Sequence, residues 1–210
     1  MFYPILKRRN NYDKKDDGTY YRYSFYRDAI LEDCQERCVY CDLLLKEHAY
    51  EGMHLDHFRP QSFFKSLSND PHNLVISCPK CNVLKSNHWP CDKTQDNSPS
   101  HDDDVGFIDP FSERLSDYLY VDSDGVVKSK KKTAKYMIEL LKLNRKARVL
   151  LRKKRMQYHI SIKLKESLDR QMNNLFDELV DGVVSKELAS AKYCKLKQAS
   201  DKIHDLLKLL

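Results

Sequence analysis

The chain has 210 residues, 32% of them charged and 41% hydrophobic, with a formal net charge of +6 and a sequence pI near 8.8. That length suits one domain with a real core, or a small domain with an extension, and the mild positive charge favours a polyanionic partner. No apolar run approaches membrane-spanning length and "MFYPILKRRNNYDKK" turns basic before a signal-peptide core can develop, so a soluble, cytoplasmic protein with no membrane association is expected.

Residues 1–26 are polar, basic and rich in Tyr, and are expected to form an extended or partly ordered arm. Over 24–37, Phe25, Ala29, Ile30 and Cys34 recur at helical spacing, with Ser24 as a candidate N-cap. That helix delivers the chain into "CVYC". Residues 53–58 read as a strand stopped by Pro60, and 61–72 as a loop. Pro79 suits the first turn of a helix, with Cys78 at its cap. Residues 92–125 hold ten Asp/Glu against two Lys/Arg, and a hairpin is expected to turn at Asp124-Gly125. From Thr133 onwards the pattern is helical, with Asn144 as a cap for a long helix. In it Met156, Ile160, Leu164, Leu168, Met172 and Phe176 recur every fourth residue as an apolar stripe. Gly182 breaks that helix and Ser185 starts the last one.

Seven cysteines are an odd count for a secreted disulfide scaffold. Cys38-x2-Cys41 and Cys78-x2-Cys81 instead have the spacing of a four-thiolate structural zinc site, each pair gripping one face of a tetrahedral ion. The alternative is a set of buried thiols or a redox pair. Cys34, Cys91 and Cys194 are left over, and Cys34 lies close enough in sequence to compete for the site.

Between the pairs stand the residues that phosphodiester hydrolysis requires. A base must activate water, and a cation must neutralise charge on the phosphate. His57 offers an imidazole, and Asp56 and Asn82 offer oxygens suited to a hard divalent ion. Strand alternation alone would send Asp56 and His57 to opposite faces, so they meet one phosphate only near a strand end. Lys85, one helical turn beyond Asn82, is a candidate phosphate contact. His54, two residues before Asp56, is expected to be structural. Residues 127–165 carry fifteen Lys/Arg and one acid, densest at Arg152, Lys153, Lys154 and Arg155. That cluster is a candidate nucleic-acid contact, or else faces an acidic partner.

The pattern CxxC … D-H-x-x-P … N-L … C-x-x-C-N-x-x-K, carried by Cys38, Cys41, Asp56, His57, Pro60, Asn73, Leu74, Cys78, Cys81, Asn82 and Lys85, resembles the HNH endonuclease family. The resemblance covers about residues 30–90. It implies an α+β chain: a zinc-stabilised ββα-metal core followed by a mainly helical C-terminal region. It implies His57 as general base, Asp56 and Asn82 as ligands of Mg²⁺ or Mn²⁺, Asn73 as the residue that orients the base, and structural Zn²⁺ on the cysteines. The segment "IDPFSERLSDYLYVDSDGVV…AKYMIELLKLNRKARVLLRKKR" resembles the small HNH subunits of Septu-type and retron-associated anti-phage systems, which implies an ABC-type ATPase partner.

The expected organisation is therefore an arm at 1–26, a nuclease core at 27–95, an acidic loop and hairpin at 96–130, and a basic helical region at 131–210. The expected activity is metal-dependent cleavage of DNA within a defence complex. Two alternatives stand beside it: an RNA (tRNA) nuclease using the same site, and a zinc-stabilised nucleic-acid-binding module without catalysis.

Overall fold

The computed structural model describes residues 2–48 and 52–209. Two compact units divide the chain, Met1–Val149 and Leu150–Leu210. The fold is α+β in the first unit and helical in the second.

The N-terminal stretch carries little regular structure and is packed onto the core. Tyr3, Leu6 and Tyr12 are buried, the Tyr12 hydroxyl donates to Asp33, and Arg9 Nε donates to Asp33 Oδ1 at 3.0 Å. A 3-10 turn, Tyr23–Tyr26, leads into α1 (Arg27–Asp33). This helix ends earlier than its apolar spacing predicts. Gln35 and Glu36 adopt left-handed φ values of 52° and 51°, which no helix continues through, and they turn the chain into the first cysteine pair.

Strand β1 (His54–His57) pairs antiparallel with β2 (Leu74–Ser77), with His57 opposite Leu74. Every residue of β2 is buried, the apolar run Leu74-Val75-Ile76 and the Ser77 that ends it. Helix α2 (Pro79–Lys85) follows directly, capped by extended Cys78 with Pro79 at the first position. Below this ββα unit the rings of Phe58, Phe64, Trp89 and Phe107 pack together, Trp89 stacked on Phe107 at 6.1 Å.

The predicted hairpin is present as β3 (Leu119–Val121) and β4 (Val127–Ser129), with Gly125 at φ 80° in its turn. Helix α3 (Lys132–Leu140) then packs against β4. The side chain of Asn144 ties this hairpin to the start of the next helix: its Oδ1 accepts from Val127 N at 2.8 Å and its Nδ2 donates to Val127 O at 2.9 Å.

Helix α4 (Lys146–Val180) runs into the second unit, and α5 (Lys186–Leu209) begins where Ser185 Oγ accepts from Leu188 N at 3.3 Å. Val180 ends α4 just before Gly182, whose φ is 70°. The apolar stripe is only partly buried. Leu168 is buried, but Ile160, Leu164 and Phe176 are exposed, while Ser161 and Leu175 join Leu168 on the covered face. A strict fourth-residue row advances about 40° per step and sweeps roughly 200° from Met156 to Phe176, so it cannot stay on one face. The covered residues 161, 168 and 175 follow a seven-residue spacing, which drifts only about 20° per step. Among the described residues no helix is long and apolar enough to cross a membrane.

Candidate active site and metal centre

The loop after α1 and the N-terminus of α2 bring Cys38, Cys41, Cys78 and Cys81 together. All four are buried and their sulfurs lie within 4.8 Å of one another. Burial pushes the Cys38 thiol well above its ordinary pKa, while hydrogen bonds from Cys38 and Cys41 hold Cys78 well below its own. Such a cluster bears several thiolates only when a cation sits among them, and four convergent sulfurs fit a tetrahedral metal ion. Cys34 is no competitor: it is fully buried elsewhere, its sulfur accepting from Ile76 N at 3.3 Å. Two arginines face the cluster from the start of α4. Arg145 donates to Cys81 Sγ at 3.7 Å and Arg148 to Cys78 Sγ at 3.6 Å.

Asp56 sits on β1 with 7% of its surface exposed, and both carboxylate oxygens are engaged. The Tyr40 hydroxyl donates to Oδ2 at 2.7 Å and Lys85 Nζ to Oδ1 at 3.3 Å. Burial raises the Asp56 pKa, opposed by the charge of Lys85 and the Tyr40 hydrogen bond. Burial lowers that of Lys85, opposed by Asp56. Lys85 also donates to the His57 carbonyl at 2.7 Å and is 0% exposed. The expected phosphate contact of Lys85 is thereby corrected: α2 turns this side chain inward, beneath β1. Each carboxylate oxygen keeps a second lone pair beyond its one hydrogen bond.

His57 ends β1. Its Nε2 lies 2.8 Å from the Ser68 carbonyl. A carbonyl only accepts, so Nε2 carries the proton and the neutral ring keeps its lone pair on Nδ1. The Tyr23 ring meets the imidazole edge-on at 5.1 Å. Asn73 does not touch the imidazole. Its Oδ1 accepts from Arg59 N at 2.8 Å, its Nδ2 donates to Arg59 O at 3.0 Å, and its carbonyl accepts from Phe58 N at 2.8 Å. It fixes the chain leaving His57 rather than the ring itself.

Asp56, His57 and Asn82 line one cleft of about 330 Å³, together with Tyr23, Pro60 and Asn87. The strand-alternation problem disappears because β1 stops at His57. Asn82 Nδ2 lies 3.2 Å from His54 Nδ1, which leaves the amide oxygen of Asn82 as an available ligand atom. Of the basic cluster on α4, Lys153 and Lys154 are exposed whereas Arg152 and Arg155 are buried. That corrects the four-residue contact: of the four, only the two lysines are exposed to solvent. Sequence reasoning missed Tyr40, Ser68, Tyr23, Arg145 and Arg148. Only Tyr40 carried a signal, its place inside "CVYC".

Residues 38–88 match the family model described as HNH endonuclease. The chain is 37% identical over 60 residues to "Septu protein PtuB" of Bacillus thuringiensis, covering 29% of this chain and 23% of that protein. It is 27% identical over 146 residues to "Retron Vc95 putative HNH endonuclease" of Vibrio cholerae serotype O1 biovar El Tor, covering 65% of each. It thus spans less than two thirds of the length of these curated relatives. No solved structure matches.

Proposed function

From the premise that this chain carries an HNH endonuclease domain over residues 38–88, we propose that it hydrolyses phosphodiester bonds of DNA with His57 as general base. The supporting observation is that His57, oriented by the Ser68 carbonyl, shares a cleft with Asp56 and Asn82. Nδ1 takes a proton from water, the water oxygen forms a bond to phosphorus, and the bond from phosphorus to the leaving oxygen breaks. Asp56 and Asn82 would hold a divalent ion, Mg²⁺ or Mn²⁺, which would supply charge neutralisation at the phosphate and leaving oxygen. Lys85 and Tyr40 hold the Asp56 carboxylate in place. Asn73 secures the turn after His57. Zn²⁺ on Cys38, Cys41, Cys78 and Cys81 fixes α2, and with it Asn82, against β1.

The relatives named for Septu and retron systems support a role in anti-phage defence. A multi-component assembly with an ABC-type ATPase follows from that reading. The exposed apolar side chains of Ile160 and Leu164, one turn apart on α4, supply a surface for such a partner. The whole assembly acts in the cytoplasm, where its nucleic-acid target lies.

The test is cleavage of plasmid DNA and of total tRNA with Mg²⁺, by the wild type and by His57→Ala. Plasmid cleavage that falls by ~10²–10⁴ in the variant, with zinc content unchanged, is the expected result. Preferential cleavage of tRNA would replace DNA with RNA as substrate. Equal rates in wild type and variant would remove His57 from the chemistry.

A further inference from the structure

With Lys85 buried beneath Asp56, the hollow that holds His57 contains no Lys or Arg side chain among the residues lining it. A nucleic-acid strand entering it must still have its phosphates neutralised on both sides of the cut. A second hollow of about 300 Å³ adjoins the first and shares Tyr23, Leu55 and Asn82 with it. Its further lining residues are Ser24, Arg27 and His54. Arg27 is the one Lys or Arg lining either hollow among the described residues.

The guanidinium is held in place. Arg27 Nη1 donates to the Met53 carbonyl at 2.8 Å, immediately before β1, while the side chain stays exposed to solvent. That bond uses one of its five N–H donors. The others belong to a planar cation whose geometry matches phosphate oxygens, tethered to the strand that carries Asp56 and His57.

We propose that Arg27 is a phosphate-binding residue of the cleft, contacting the phosphodiester that flanks the one cut. This rests on the nuclease reading above. The assignment to the flanking phosphate follows from placement: His57 lines the first hollow, Arg27 the second, and Asn82 stands at their shared wall. A strand lying through both presents consecutive phosphates to the two residues. Arg27 therefore governs substrate affinity rather than the chemical step.

The test uses Arg27→Gln and Arg27→Lys. Gln keeps a donor for the Met53 carbonyl but removes the charge, and Lys keeps the charge but loses the planar fork. Binding of a duplex oligonucleotide is measured at several salt concentrations in the His57→Ala background, where no cleavage intervenes. Arg27→Gln is expected to weaken binding and to lower the salt slope by ~0.9, one phosphate contact on duplex DNA. Arg27→Lys should restore the slope but only part of the affinity. Single-turnover cleavage, with His57 present, should fall far more at sub-saturating than at saturating enzyme, the split that a binding residue produces. Unchanged affinity and slope in Arg27→Gln would overturn the proposal. So would an unchanged affinity with a collapsed saturating rate, which would put the side chain on the reacting phosphate. Absence of cleavage by the wild type would defeat the nuclease reading, while the binding measurement would still decide the role of Arg27.

Discussion

The Tyr40 hydroxyl donates to Asp56 Oδ2 at 2.7 Å, tying the loop between Cys38 and Cys41 to the carboxylate of β1. The cysteine cluster and the candidate catalytic carboxylate are therefore coupled through a single buried side chain. Tyr40→Phe removes the hydroxyl and leaves one oxygen of a buried carboxylate unsatisfied on that side, a loss of about 1–3 kcal/mol. The expected outcome is a lower unfolding midpoint, normal metal content of the cysteines, and a shifted Mg²⁺ dependence of cleavage. Denaturant unfolding and a Mg²⁺ titration on the same preparation check it. A variant matching wild type in both would show that Tyr40 only fills space.

Arg145 and Arg148 answer an electrostatic need of the cysteine cluster. Four thiolates around one divalent ion carry a net charge of about −2, costly to bury. Two guanidinium groups at 3.7 and 3.6 Å from the sulfurs offset it and donate N–H to the thiolates. Replacing both by Gln should speed zinc loss to a chromogenic chelator by roughly 10-fold, within the range seen for outer-shell partners of metal ligands. The double change Lys153→Gln and Lys154→Gln, two exposed cations on the same helix, is the control for net charge. Equal release rates in the arginine variant and the control would show that the arginines do not act on the metal.

The candidate site is legible in sequence where its chemistry is local. Asp56 and His57 are adjacent, Asn82 follows Cys81 directly, and the two cysteine pairs carry their own spacing. What escapes is what the fold brings in from far away. Lys85 reaches Asp56 across 29 residues, and Arg145 and Arg148 reach the cysteines across 64 and 70. A lysine one turn past Asn82 reads equally as a solvated cation or as a phosphate contact, and only the packing of α2 on β1 turns it inward. The hairpin and the helix starting at Pro79 are legible because Gly125 permits the positive φ that its tight turn needs and Pro79 fixes φ where the helix begins. The stripe on α4 misleads for the opposite reason: a fourth-residue period looks amphipathic in a short window and spirals off its face over five turns.

Cys34 supplies a prediction in the alkaline range. Burial pushes its thiol from an ordinary 9.0 up to about 12. A raised pKa in the folded state contributes stability that is fully present below about pH 9 and is lost as pH climbs from 9 towards 12. Tyr118, raised to about 12 chiefly by its hydrogen bond with Glu113, adds to the same decline. Unfolding measured between pH 8 and pH 11 should therefore show stability falling, with a shallower slope in Cys34→Ala. In the native protein at pH 8, exposed Cys194 should react with a thiol reagent first and Cys34 only on unfolding. Modification of Cys34 in the folded chain would contradict the burial.

The basic cluster of α4 divides into two kinds of residue, and substitution should separate them. Lys153 and Lys154 are exposed, whereas Arg152 is 2% exposed and Arg155 8%. Changing both lysines to Ala removes charge from the surface without opening a cavity. It should leave the unfolding midpoint within experimental error while lowering the salt slope of DNA binding by up to ~0.9 per lost contact. Changing both arginines to Ala truncates long buried stems and their hydrogen-bonding heads, and should cost several kcal/mol of stability, on the order of other large-to-small core changes. Any loss of DNA binding in that variant would then follow its unfolding. If the lysine variant binds DNA with the wild-type salt slope, the exposed pair faces an acidic protein surface instead. A pull-down with the proposed ABC-type ATPase partner would then lose it in the same variant.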